Sequence, residues 1–104
     1  MISTTTFREM AMALPNVSEQ PHFERTAFKT KKIFATLDVK GALACLILSL
    51  IDQSVFTKVD PAVIYPLPNK WGLQGATYFE LKKIKKGILK HALKQAYENS
   101  LVKK

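Results

Sequence analysis

A chain of 104 residues has room for one modest core and excludes two. Its 47% apolar content, with only four glycines and five prolines, excludes a disordered or collagen-like chain. A net charge of +8 favours nucleic acid, anionic lipid or acidic proteins as partners, although such an excess also keeps small proteins in solution.

Cys45 is the single cysteine, which excludes an internal disulfide and suits a reducing compartment. It lies in the apolar run Leu43 to Leu48, where a small buried thiol is the ordinary case. No stretch approaches the roughly 18 apolar residues that span a bilayer. Arg8 and Glu9 interrupt the first apolar segment and argue against a secretory signal, so a cytoplasmic location without membrane association is expected.

The first helix is expected from Phe7 to about Leu14, with Thr6 and Glu9 as a capping box and Phe7, Met10, Ala11 and Leu14 as its apolar face. Pro15-Asn16 ends it. Extended segments follow at Val17 to Phe23, Ala27 to Thr30 and Lys32 to Val39, the last two joined as a hairpin through Thr30-Lys31. Alternation would set Ile33, Ala35 and Leu37 on one side and Phe34 and Thr36 on the other. Lys40-Gly41 turns the chain into Ala42 to Leu50, apolar enough for a central strand. Asp52 to Val59 has helical spacing, with Ile51, Val55, Phe56 and Val59 on one face and Asp60-Pro61 as a stop. Two more strands, Val63 to Tyr65 and Thr77 to Leu81, precede a last helix from about Lys85 to Ser100. Its buried stripe is Ile88, Leu89, Ala92, Leu93, Ala96 and Tyr97. This pattern predicts an α+β fold.

Between the last two strands, Tyr65 to Leu81 carries the single tryptophan, Pro66, Pro68, Gly72 and Gly75. The prolines impose an extended path and the glycines permit a turn or a close backbone approach. Trp71 is expected to plug one end of the core against the last helix or the sheet end, with base stacking as the alternative.

Pro68-x-x-Trp71-Gly72-x-x-Gly75, followed by Thr77 and an aromatic, resembles the signature of the MmcQ/YjbR family of small bacterial proteins. The segments Pro21-His22-Phe23-Glu24-Arg25-Thr26-Ala27-Phe28 and Lys32-Ile33-Phe34-Ala35-Thr36-Leu37 resemble two other marked segments of that family, and the order agrees from about Phe7 to Tyr97. Ala76 departs from the second aromatic of many relatives, which weakens a stacking role for this loop. The resemblance implies one two-layer domain over residues 1–104, an antiparallel β-sheet with helices packed mainly on one face. Its order would be α-β3-α-β2-α, a fold that also resembles secretion chaperones. It further implies DNA binding of low sequence specificity, with β-hairpin wings.

Catalytic patterns are lacking. His22 and His91 lie on different elements without zinc-ligand spacing, His22 suiting a structural or surface role and His91 the polar face of the last helix. Trp71-Gly72-Leu73-Gln74-Gly75 is neither a P-loop nor a dinucleotide turn, and the acids form no obvious acid-base pair. No enzyme activity, metal or cofactor is expected. Charge is more informative: from Lys82 onward eight lysines face one acid, Glu98, a net +7. Lys83, Lys86, Lys90 and Lys94 fall along one strip of the last helix. A second basic group, Arg25, Lys29, Lys31 and Lys32, would suit a hairpin wing. These eight residues are the candidate phosphate ligands of a monomeric, non-enzymatic DNA-binding protein. The alternatives are a protein-interaction module, which needs an exposed apolar patch on the open sheet face, and a small-ligand binder or enzyme, which needs a pocket with convergent polar groups near Trp71.

Overall fold

The computed structural model describes residues 2–22 and 24–101, apart from the His22 side chain. The reading of His22 and the contribution of Lys103 and Lys104 therefore lie outside the described residues. The elements are α1 (Thr4–Met12), β1 (Ser18–His22), β2 (Arg25–Lys29), β3 (Ile33–Asp38), β4 (Leu43–Ile47), α2 (Leu50–Val59), β5 (Ile64–Pro66), α3 (Lys70–Leu73), β6 (Ala76–Glu80) and α4 (Lys86–Ser100). The six strands form one antiparallel sheet in the order β1-β2-β3-β4-β6-β5, with β4 near its centre. This is the expected α+β architecture, and the segment expected to be extended from Val17 supplies a strand that the α-β3-α-β2-α order omits. β1 is a full partner of β2, which makes four strands before α2, and α3 interrupts the path into β6.

α1 begins earlier than its apparent capping box. Ser3, not Thr6, is the cap: its Oγ accepts the Thr6 amide at 3.0 Å. The tertiary reason is next to it, since Ile2 is buried and its amide donates to the Leu81 carbonyl at 2.9 Å. That anchor draws the chain start against the sheet.

The core lies between the sheet and the helices. Phe7 and Ala11 of α1, Phe56 of α2, and Leu89, Ala92, Leu93 and Ala96 of α4 pack with Phe28, Phe34, Leu46, Ile64 and Phe79. Aromatic rings meet edge to face at Phe7–Phe28 (5.9 Å), Phe34–Tyr97 (5.8 Å) and Phe56–Phe79 (6.4 Å). The α4 stripe follows its helical spacing, with Ile88 and Tyr97 half-buried at its margins.

Two expectations about faces fail. In β3, Phe28 pairs with Ala35 but Lys29 pairs with Ile33, an irregularity that passes over Phe34. Such a bulge breaks the two-residue alternation. Phe34 accordingly joins Ala35 and Leu37 in the core, while Ile33 and Thr36 border a groove on the other face. In α2 only Phe56 is buried, and Ile51, Val55 and Val59 are exposed. This helix packs at the β5 edge beside α4 and has one narrow line of contact rather than a broad face.

Two glycines let backbones touch near the sheet end. A Cβ on Gly72 would lie 1.9 Å from the Leu67 carbonyl oxygen, and one on Gly75 would lie 1.9 Å from that of Leu48. Gly75 also has φ +111°, in the region that disfavours side chains. Its carbonyl accepts the Leu48 amide at 3.0 Å. Gly75→Ala is therefore expected to cost about 2–4 kcal/mol in denaturant unfolding. A loss under about 1 kcal/mol would show that the two backbones can separate freely.

Candidate functional site

Strand alternation leaves the second face of the sheet without a helix layer. Ala27, Thr36, Cys45, Tyr78 and Tyr65 are successive cross-strand partners and form one row over it. Arg25, two residues along β2 from Ala27, is on the same face. Leu67, Asn69, Trp71 and Gln74 from the α3 segment border this row, leaving a groove of about 530 Å³. Ile33, Ile47 and Ala76 add apolar lining.

Trp71 is not a core plug: it is 56% exposed and forms part of the groove wall. The expected loop contains a short capped helix, in which Asn69 Oδ1 accepts the Trp71 amide at 2.9 Å. Gly72 is the buried member of this turn and seats it on the Leu67 backbone, leaving the neighbouring indole outside. Gln53 holds the turn from behind, its Nε2 donating to the carbonyls of Gly72 (2.8 Å) and Ala76 (3.3 Å) and to Thr77 Oγ1 (3.1 Å).

Arg25 gives the groove its positive charge. Its Nη2 donates to the Tyr78 hydroxyl at 3.3 Å, and its guanidinium carbon lies 5.8 Å from the Tyr78 ring centroid. That hydrogen bond raises the Arg25 pKa further, with desolvation opposing it. Arg25 makes no ion pair among the described residues. Burial pushes the Cys45 thiol up, against the opposing effects of the Arg25 charge and of hydrogen bonds with Thr36 and Thr77. A buried thiol kept protonated is a poor nucleophile, as the sequence context suggests. At the β5 edge Tyr65 donates its hydroxyl to Glu80 Oε2 at 2.6 Å.

The eight basic candidates fall in three places. Arg25 lines the groove. Lys29, Lys31 and Lys32 surround the β2–β3 turn, which meets the C-terminal end of α4 where Thr30 Oγ1 and Ser100 Oγ are 2.6 Å apart. Lys86, Lys90 and Lys94 repeat every four residues along α4 and are exposed. Lys83 precedes the helix, with Nζ 3.7 Å from Glu80 Oε1. Lys86 and the β2–β3 turn thus stand at opposite ends of a helix about 20 Å long. The groove residues Thr36, Cys45 and Tyr78 were missed as a set. Alternation along β6, where Tyr78 and Glu80 are less buried than Thr77 and Phe79, was the signal available for this face.

His91 is exposed on α4, as expected, with its ring edge-to-face against Phe56 at 5.4 Å. Among the described residues no three His, Cys, Asp or Glu side chains are grouped to hold a metal ion. Among the same residues no helix is long and apolar enough to cross a membrane.

No family model and no curated protein matches the chain. The crystal structure of Deinococcus radiodurans protein DR2400, which has a DUF419 domain, is similar with a TM-score of 0.80 and 18% identity, over 93% of this chain and 77% of that one. The likeness is one of fold. DUF419 is in turn related to the MmcQ/YjbR-like fold.

Two measurements check this geometry. Trp71→Ala is expected to cost about 1–2 kcal/mol in thermal unfolding, below the roughly 3–5 kcal/mol of a fully buried aromatic. A loss in the higher range would place the indole in the core. The hydrogen bond to Glu80, followed by burial, raises the Tyr65 pKa to about 12. Because the folded pKa exceeds the ordinary value near 10, this contribution to stability is complete below pH ~10 and is lost as pH rises through about 12. Ultraviolet titration should show one tyrosine ionising late, and Glu80→Gln should return it toward the ordinary range.

Proposed function

We propose that this protein is a non-enzymatic, cytoplasmic DNA-binding protein of the MmcQ/YjbR family, acting as a monomer and held mainly by phosphate contacts. The observation that carries the reading is the start of α4. Its N-cap is Lys85, which makes no side-chain capping bond, and its first turn contains no acid. Lys86, Lys90 and Lys94 continue from there as an exposed strip. Cations at a helix N-terminus oppose the macrodipole, and the first amides of a helix have no partner within it. A phosphate backbone would complement both. The hairpin lysines at the far end of the same helix would extend the contact.

Low specificity follows from the arginines. The chain has two, Arg8 and Arg25. Arg8 is engaged by Glu19 in a two-point contact at 2.6 and 2.7 Å, and Arg25 lies in the groove on the sheet's other face. Neither is disposed to join the α4 lysines in bidentate base readout. A second reading, a protein-interaction module, draws on the exposed Ile51, Val55 and Val59, which lie on α2 and not on the open sheet face where such a patch was expected.

A salt titration tests the proposal. With four to six phosphates engaged, log K for duplex DNA should fall against log salt with a slope of about −4 to −5, and unrelated sequences should bind alike. Replacing Lys83, Lys86, Lys90 and Lys94 by Gln should weaken binding uniformly and flatten that slope. Unchanged affinity would exclude α4, and no binding at low salt would leave the protein-interaction reading ahead.

A further inference from the structure

The groove on the open sheet face has no part in phosphate binding along α4, and its composition is of another kind. We propose that it is a binding site for a small organic carboxylate with a flat apolar body, the acid held by Arg25 and the body lying against Trp71. This inference is independent of the DNA reading, because the groove and the α4 strip lie on opposite faces of the sheet.

The shape comes first. A volume of about 530 Å³ falls within the range of small-molecule sites, which are largely apolar with a few convergent polar groups. Ile33, Ile47 and Leu67 provide apolar surface, and Thr36 and Asn69 provide polar groups at the margins. The wall is preorganised. Trp71 is on a turn fixed by the Asn69 cap and by the Gln53 bond to the Gly72 carbonyl, yet the residue is more than half exposed. Covering that surface with an apolar ring would be favourable and would order little of the protein.

The charge selects the ligand head. Guanidinium has five N–H donors, and Arg25 gives one bond among the described residues, to the Tyr78 hydroxyl. Its remaining donors fit the two oxygens of a carboxylate. Nearby carboxylates weigh against a more highly charged head. Asp38 is close enough to influence Arg25, and Glu80 is bonded to Tyr65 on the same face. Glu80 is balanced by Lys83 at 3.7 Å, so Arg25, the one cation among the described groove-lining residues, with Asp38 nearby, suits a monoanion better than a phosphate, which carries close to two charges near neutral pH. Cys45 is in the floor as a protonated thiol and acts as apolar surface.

The test uses 2-naphthoate as the carboxylate probe and 2-naphthamide as its neutral counterpart, with calorimetry and the emission of the single tryptophan as readouts. Naphthoate should bind at one site and shift Trp71 emission. Arg25→Gln should weaken naphthoate by about tenfold or more, while naphthamide should change by less than about threefold. Ile47→Phe, which narrows the groove without touching the charge, should weaken both probes. Thermal melts establish that each variant is folded. Should Arg25→Gln fail to fold, Arg25→Lys replaces it, and naphthoate should still weaken because an ammonium cannot give the two-point contact. The proposal is overturned if naphthoate shows no saturable binding to the native protein, if the folded Arg25 variant binds it equally, or if Ile47→Phe leaves both affinities unchanged.

Discussion

The backbone contact between Leu48 and Gly75 is the constraint on which the rest of this end of the molecule depends. The Leu48 amide meets the Gly75 carbonyl at 3.0 Å, and no side chain could stand on Gly75 without striking Leu48. The contact joins the exit of β4 to the entry of β6. It also sets Thr77, fully buried, where its hydroxyl donates to the Gly75 carbonyl at 2.9 Å and accepts from Gln53. A buried hydroxyl left without partners would cost about 1–3 kcal/mol. Among the described residues no buried side-chain polar atom is left unpaired. The α3 turn, and with it the position of Trp71, is thus fixed from behind by contacts that do not involve the indole.

Two surfaces of different chemistry result. Helix α4 turns its apolar stripe to the core and its lysines to solvent, placing strong positive charge on the helical layer. The open face of the sheet collects a row of small and aromatic residues around one arginine. Ionic attraction along α4 is long-ranged and sensitive to salt. Contact in the groove is short-ranged and depends on shape. Because the sheet stands between them, a substitution on one surface can be made without disturbing the other, and additive effects are expected from such distant sites.

An identity of 18% with a protein of the same fold is intelligible from what the core demands. Side chains such as Leu46, Phe79 and Leu89 must be apolar and of suitable volume, and many combinations meet that condition. Gly72 and Gly75 are under a stricter demand, since no side chain fits where their Cβ atoms would stand.

By itself the sequence determined the class of fold, the central position of β4 and the buried stripe of α4. Each depends on local periodicity or a continuous apolar run, which neighbours in the chain are enough to express. It also marked residues 65–81 as the unusual connection, because glycine and proline restrict or release the backbone wherever they occur. Tertiary structure alone decided which way Trp71 faces, because a four-residue helix seated on the Leu67 backbone set the direction of the indole. It alone moved Phe34 into the core, through a pairing irregularity that depends on both β2 and β3. It alone exposed Ile51, Val55 and Val59, since an apolar helical face is buried only where another element covers it. The groove belongs to this second group. Arg25, Thr36, Cys45 and Tyr78 are far apart in the chain and meet only when four strands pair in register.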